Sequence, residues 1–233
     1  LGGRSIQEGH FLLPILSTFA KENPPQLIEA LHLIKENALS QHSATSRKPP
    51  LFSDRAQSSI QYLAFLADYE LLFETALGIY DYDIARAVAR NSQMDPKVYL
   101  PLLKRYAALP KFYGRYEVDL RLKRYESALK NLCTSGAEQE SLELGNQVAT
   151  EQQDTSPEIG NAFEHCMTLI EQKKLHTLGL ELFQTPEQRR QIILSLSDHL
   201  VNEKRPKTAL HVVLTADPID MERALSAARA SSE

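Results

Sequence analysis

Cysteine is scarce in this chain of 233 residues: Cys133 and Cys166 are the only two, with no C-x-x-C and no histidine pair beside them at ligand spacing. A disulfide framework and a structural zinc site are thereby excluded, and a reducing compartment is expected, the cytoplasm with the nucleus as a second location. Tryptophan is absent, and only nine glycines occur, none arranged as G-x-G-x-x-G or as a Walker-type loop. The chain therefore offers no glycine-rich phosphate cradle. No apolar run approaches the roughly 20 residues that cross a bilayer as a helix, and no basic stretch leading into an apolar core opens the sequence, so neither a membrane span nor a leader is read here. Neither sign of charge dominates: 26 Lys and Arg face 30 Asp and Glu, a net charge of −4, and 42 % of the residues are hydrophobic. That composition excludes disorder of the whole chain. The opening Leu1-Gly2-Gly3-Arg4-Ser5 lacks a methionine and reads as the start of a piece of a longer protein.

What is present is apolar spacing at three and four residues, the signature of a helix that buries one face. Leu27, Leu31, Ile34 and Ala38 follow Pro24-Pro25 and predict a helix from about residue 25 to 38. Further stripes are Ala56, Ile60, Leu63 and Ala67, then Tyr69, Leu72, Ala76 and Tyr80, then Ile84 and Val88. Asp95-Pro96 supplies a cap and a first-turn proline ahead of Val98, Leu102, Tyr106 and Leu109, with Pro101 expected to kink the helix. The second half continues with Leu122, Tyr125, Leu129 and Leu132, then Ile159, Phe163, Cys166 and Ile170, then Leu175, Leu178 and Leu182. Three more stripes follow prolines: Ile193, Leu196 and Leu200, then Ala209, Val212 and Ala216, then Met221, Leu225 and Ala228.

β-branched alternation is rare, so the fold class is all-α. Pairs such as Ala76-Leu77, Ala128-Leu129 and Gly179-Leu180 recur, and two-helix units of roughly 30 residues lie in the tetratricopeptide range. Because the full tetratricopeptide signature is missing, the expected architecture is an irregular tetratricopeptide-like α-solenoid of antiparallel helix pairs. Two polar tracts interrupt it: residues 40–50, and the stretch 134–158, which is acidic and free of Lys and Arg. The second marks the expected division, with a first helical half at 6–133, a flexible acidic insertion at 134–158 and a second helical half at 159–230.

Candidate chemistry is sparse. His165 and Cys166 are adjacent, so on a helix their side chains diverge by about 100° and cannot act as base and nucleophile; Cys166 is read as core. Of the seven histidines, only His199 and His211 fall on consecutive segments, which assigns no metal. Asp81, Asp83, Asp217 and Asp220 stand at helix boundaries, where a carboxylate caps backbone N–H groups rather than pairing for acid/base work. No catalytic residue, cofactor site or metal site is assigned. One charged feature stands out between Lys104 and Lys130, where eight basic residues oppose Glu117, Asp119 and Glu126 and are interleaved with Tyr106, Phe112, Tyr113, Tyr116 and Tyr125. Basic side chains neutralise phosphates and aromatic rings stack on unpaired bases, so Lys104, Arg105, Lys111, Arg115, Lys123 and Arg124 form a candidate tRNA-contacting stripe. The competing reading is a solvated basic face over aromatic rings that pack inward.

The run from Ala76 to Asp83, the run from Val88 to Leu103, and Leu122-Lys123-Arg124-Tyr125-Glu126-Ser127-Ala128-Leu129 closely resemble the C-terminal helical region of the largest, scaffold subunit of Elongator. The similarity extends more loosely from His10 to Leu16 and from His176 to Phe183, and on to Ser226. The acidic stretch between Cys133 and Phe163 departs from the family in being longer, so no role is carried over to it. The resemblance implies a solenoid within a larger protein that begins with β-propellers. It further implies a non-catalytic scaffold that binds other Elongator subunits, associates with itself, and supports a complex modifying wobble uridines of tRNA. A vesicle-coat or trafficking solenoid, with no RNA, is the alternative that shares this plan.

Overall fold

The computed structural model describes residues 12–40, 54–92, 94–145, 162–216 and 219–232, which form thirteen helices and no strand. Two compact units result, Leu1–Leu109 and Pro110–Glu233. The first holds α1 (Leu12–Lys21), α2 (Leu27–Ser40), α3 (Asp54–Leu66), α4 (Tyr69–Gly78), α5 (Tyr82–Asn91) and α6 (Pro96–Ala108). The second holds α7 (Lys111–Arg121), α8 (Tyr125–Gly145), α9 (Ala162–Lys173), α10 (His176–Leu182), α11 (Pro186–Asn202), α12 (Pro206–Val213) and α13 (Met221–Ser232). Successive helices pack as neighbours, α4 on α5 and α5 on α6 in one unit, and α7 through α9 and α10 through α13 in the other. The all-α expectation and the helix-pair plan hold.

Helix starts follow local chemistry. Asp68 accepts from the backbone N–H of Glu70 at 2.8 Å, Asp95 from Lys97 at 2.8 Å, and Asp220 from Arg223 at 3.1 Å. Asp81 caps α5 through Asp83 and Ile84 and also pairs with Lys35 of α2 at 2.7 Å. Burial pushes the Asp81 carboxyl up, but the Lys35 hydrogen bond and charge and the two backbone donors outweigh it and hold the group below its ordinary value. Asp81, Asp95 and Asp220 are caps, as their positions predicted, and Asp68 is a fourth that the sequence reading did not single out; Asp83 is instead a first-turn residue of α5 whose N–H Asp81 caps, and Asp217 lies outside the described residues. Pro101 sits inside α6, which runs on to Ala108.

Helix ends explain how a chain so poor in glycine turns so often. Lys123, Lys174 and Lys204 occupy the left-handed region with φ of 57°, 59° and 61°, where glycine is usual. After each, the next N–H reaches back five residues: Arg124 to Asp119, Leu175 to Ile170 and Arg205 to Leu200, all at 2.9 Å. The same closure thus recurs three times in the second unit, and each time a new helix begins within two residues.

The first core is built on Leu16, Leu31, Ile34, Ile60, Leu63, Leu72, Leu77, Ile84 and Leu103, all fully buried. In the second unit Ala128, Leu129, Leu132, Cys166, Leu169, Ile170, Phe183 and Ile192 form one cluster, and Leu200, Ala209 and Ala227 another. Two predicted stripes are out of phase. On α6 the buried residues are Tyr99, Leu103 and Tyr106, while Val98 is 61 % exposed. On α13 Ala224 and Ala227 face inward, and Met221 and Leu225 are 66 % and 55 % exposed. Small residues let α13 lie close to α12, a gain that periodicity alone does not weigh against side-chain size.

The region 111–121, read as a basic aromatic segment, is itself a helix, and Leu122 ends it rather than opening the next stripe. The division between units also differs from expectation. It falls at Leu109–Pro110, where Leu109 is extended and Pro110 has no N–H to continue a helix, whereas α8 carries the start of the acidic tract to Gly145. The remainder of that tract, 146–161, and the polar tract 41–53 lie outside the described residues.

Candidate interaction surface

The six stripe residues separate between the two units. Lys104 and Arg105 are exposed in the last turns of α6, where cations complement the helix dipole. Beneath them Tyr106 is buried and stacks on Tyr82, with ring centroids 6.2 Å apart at 28°. In the second unit Lys111 and Arg115 gather around one ring: the Lys111 Nζ is 5.3 Å and the Arg115 Cζ 5.4 Å from the centroid of Phe112. Lys123 and Arg124 are exposed in the α7–α8 turn. Tyr113, Tyr116 and Tyr125 are half-buried and pack on the second core, with Tyr113 and Tyr116 tilted at 48° and 5.5 Å apart. The rings therefore serve mainly as inward packing beneath the cations.

Asp119, counted in the sequence as an opposing surface charge, is fully buried. Its Oδ2 accepts from Ser127 Oγ and Asn131 Nδ2, each at 2.7 Å, so it locks α7 to α8.

A polar cluster that spacing did not reveal joins α9, α10 and α11. His176 and His199 stack with centroids 5.6 Å apart at 11°. His176 Nε2 lies 3.3 Å from Ser195 Oγ, which donates to Glu171 Oε1 at 3.0 Å. His199 meets Glu203 at 3.1 Å, and Lys174 meets the same carboxylate at 2.9 Å. Burial, and then the neighbouring His199, hold the His176 imidazole below its ordinary pKa, with Glu171 opposing. No group of three His, Cys, Asp or Glu among the described residues could hold a metal. Burial, followed by the adjacent Cys133 thiol, pushes Cys166 up to about 12, which leaves it a packing residue rather than a nucleophile.

Beside the α7–α8 turn a groove of ≈ 370 Å³ opens between α7, α8 and α9. Sequence reasoning missed it because its walls come from three helices. The nearest signal was the recurrence of His165, Leu169 and Lys173 on one helical face.

The succession of paired helices defines the chain as an α-solenoid. Residues 4–106 match the ELP1 alpha-solenoid family. Elongator complex protein 1 of Arabidopsis thaliana is 34 % identical over 197 residues, covering 83 % of this chain and 13 % of that protein. The Oryctolagus cuniculus protein of the same name is 30 % identical over 209 residues, 88 % of this chain and 13 % of its own length. The Saccharomyces cerevisiae one is 27 % identical over 186 residues, 80 % and 11 %. The chain belongs to the Elongator complex protein 1 family and spans 13 % or less of the length of these three relatives.

Proposed function

We propose that this region is part of the non-catalytic scaffold of Elongator, supporting assembly and self-association of the complex that modifies wobble uridines of tRNA. The observation that carries the reading is similarity to Elongator complex protein 1 over as much as 95 % of the chain, so that it runs into both units. Helical hairpins with short turns present extended surfaces to partners, and such a role needs no cofactor and no reactive side chain. Its setting is the cytoplasm, with the nucleus as a second compartment. Copurification tests the assembly role: a full-length protein lacking this region should lose other Elongator subunits, and full recovery of the complex would refute the reading.

Within that assembly, Lys104, Arg105, Lys111, Arg115, Lys123 and Arg124 give weak, sequence-independent contact with tRNA phosphates. The exposure of Lys104, Arg105, Lys111, Lys123 and Arg124 supports this. Each phosphate contact releases counterions, so charge reversal at Arg115, Lys123 and Arg124 together should lower affinity. It should also flatten the log-affinity against log-salt slope by roughly 0.7 to 0.9 per lost contact. An unchanged slope would make the stripe a subunit-facing or solvated surface.

A further inference from the structure

We propose that Cys133 and Cys166, the only two cysteines of the chain, form an oxidative modification site at which a peroxide converts the pair of thiols into a disulfide tying α8 to α9. The inference rests on the packing of these two helices, so it stands apart from the tRNA stripe and from the assembly role.

The two thiols belong to different helices and meet beside a close crossing. A Cβ on Gly136 of α8 would lie 2.6 Å from the Cβ of Ala162 on α9, so the backbones approach here as only a glycine allows. Three residues back from Gly136 stands Cys133, and four residues on from Ala162 stands Cys166. In an antiparallel pair those steps are one turn in the same direction along both helices, which sets the two side chains opposite each other. Both residues line one opening of ≈ 170 Å³, together with Phe163, Phe183 and Gln188. A disulfide needs Cα atoms within roughly 4.4 to 6.8 Å, a reach that so close a crossing provides one turn away.

Both cysteines are in the thiol form, Cys133 half-buried and Cys166 buried, so the oxidant meets Cys133 first. With hydrogen peroxide, the Cys133 sulfur attacks one oxygen, the O–O bond breaks, and a sulfenic acid and one water form. The Cys166 sulfur then displaces hydroxide from the sulfenic sulfur to make the S–S bond, and its proton leaves with that hydroxide as a second water. Two thiols thereby lose two electrons to one peroxide. Burial, and after it the Cys133 thiol, hold the Cys166 thiol above its ordinary value, which makes the second step slow. Cys166 is thus a packing residue at rest, and only a sulfenic acid held beside it draws it into reaction. Such a disulfide is of the transient kind that a reducing compartment permits.

The test equilibrates the 233-residue chain in buffers of stepped reduced to oxidised glutathione ratio and reads the intrachain disulfide by mass spectrometry after alkylation. The equilibrium constant for the disulfide in the native chain should exceed that in urea at least about tenfold, because the fold holds together what the unfolded loop must bring together. Hydrogen peroxide should give the same crosslink in the native chain, mapped to the peptides of Cys133 and Cys166, and Cys133→Ser should abolish it. Gly136→Ala, with helicity by circular dichroism retained, should lower the native constant, since the added methyl pushes α8 off α9. A native constant equal to or below that in urea overturns the proposal. So does a native pair that peroxide fails to crosslink, or a native constant that Gly136→Ala leaves unchanged.

Discussion

Asn131 on α8 donates to the buried carboxylate of Asp119 on α7 at 2.7 Å, and Ser127, one turn earlier on α8, donates to the same oxygen. A carboxylate fully withdrawn from water is tolerated only where such donors replace its hydration. Asp119→Ala should therefore cost about 2 to 4 kcal/mol, because it removes two hydrogen bonds to a buried carboxylate at once. Asp119→Asn, which keeps the shape and one acceptor, should cost less. Urea midpoints of the two variants check this, and equal losses would show that shape rather than hydrogen bonding holds the pair of helices.

Leu129 is fully buried at the centre of the second core, whereas Phe163 is half-buried and rests edge-on against Phe183, with centroids 5.1 Å apart at 81°. Truncating Leu129 to Ala leaves a cavity that cannot collapse and should cost about 2 to 5 kcal/mol. Phe163→Ala should cost less, since its site borders an opening of ≈ 170 Å³ and part of its face is already wet. A loss at Phe163 equal to that at Leu129 would mean the opening is closed in solution.

Two glycines in helices test close packing. A Cβ on Gly136 would lie 2.6 Å from the Cβ of Ala162, and neither atom can rotate away. A Cβ on Gly179 would lie 2.8 Å from the terminal Cδ1 of Ile170, which can swing aside. Gly136→Ala should thus destabilise by about 1 to 3 kcal/mol despite the better helix propensity of alanine. Gly179→Ala should be nearly neutral. Thermal melts giving the reverse order would place the close approach elsewhere.

Lys204 ends its helix at φ 61°, where a side chain crowds the following carbonyl. Lys204→Gly should stabilise the chain by about 0.5 to 1 kcal/mol, the relief of strain being partly offset by the freer unfolded chain. A loss of stability would show that the lysine side chain contributes more than the backbone strain costs.

Stability should depend on pH through His176. Its folded pKa lies below the ordinary 6.5 because burial and the stacked His199 disfavour the imidazolium. Protonation therefore favours the unfolded chain: stability is full above the unfolded value and is lost as pH falls through the depressed folded one. Glu171, Glu203 and Lys174 surround the pair and set how far the loss extends. His176→Gln should flatten the urea midpoint between pH 7 and the onset of carboxylate protonation, and an unchanged slope would assign the dependence to another group.

Helix existence was legible because it rests on short-range quantities: the spacing of Leu27, Leu31 and Ile34, a carboxylate at Asp95, a proline at Pro96. Each acts within a turn or two of its own residue, and a linear text records such distances directly. Which face of a helix turns inward is a different matter. Val98 and Met221 were apolar and correctly spaced, yet they are exposed, because Tyr99 and the alanines of α13 met better partners across the neighbouring helices. Packing compares surfaces from separate elements, and no window along the chain contains both.

The same distinction governs the surfaces. The cluster of basic residues could be counted along the chain from Lys104 to Lys130, and Cys166 could be read as core from its place in a stripe. The burial of Asp119 could not be seen, since Ser127 and Asn131 reach it only once α8 has folded back. Nor could the stacking of His176 on His199, or the groove that joins Tyr125 to Lys173. The Asp119 contacts arise where the left-handed Lys123 reverses the chain between α7 and α8; the others need helices that later turns bring together. Residue order decided which helices form, and the pairing of their faces after each reversal decided which charges are buried, which rings are covered and where a partner can enter.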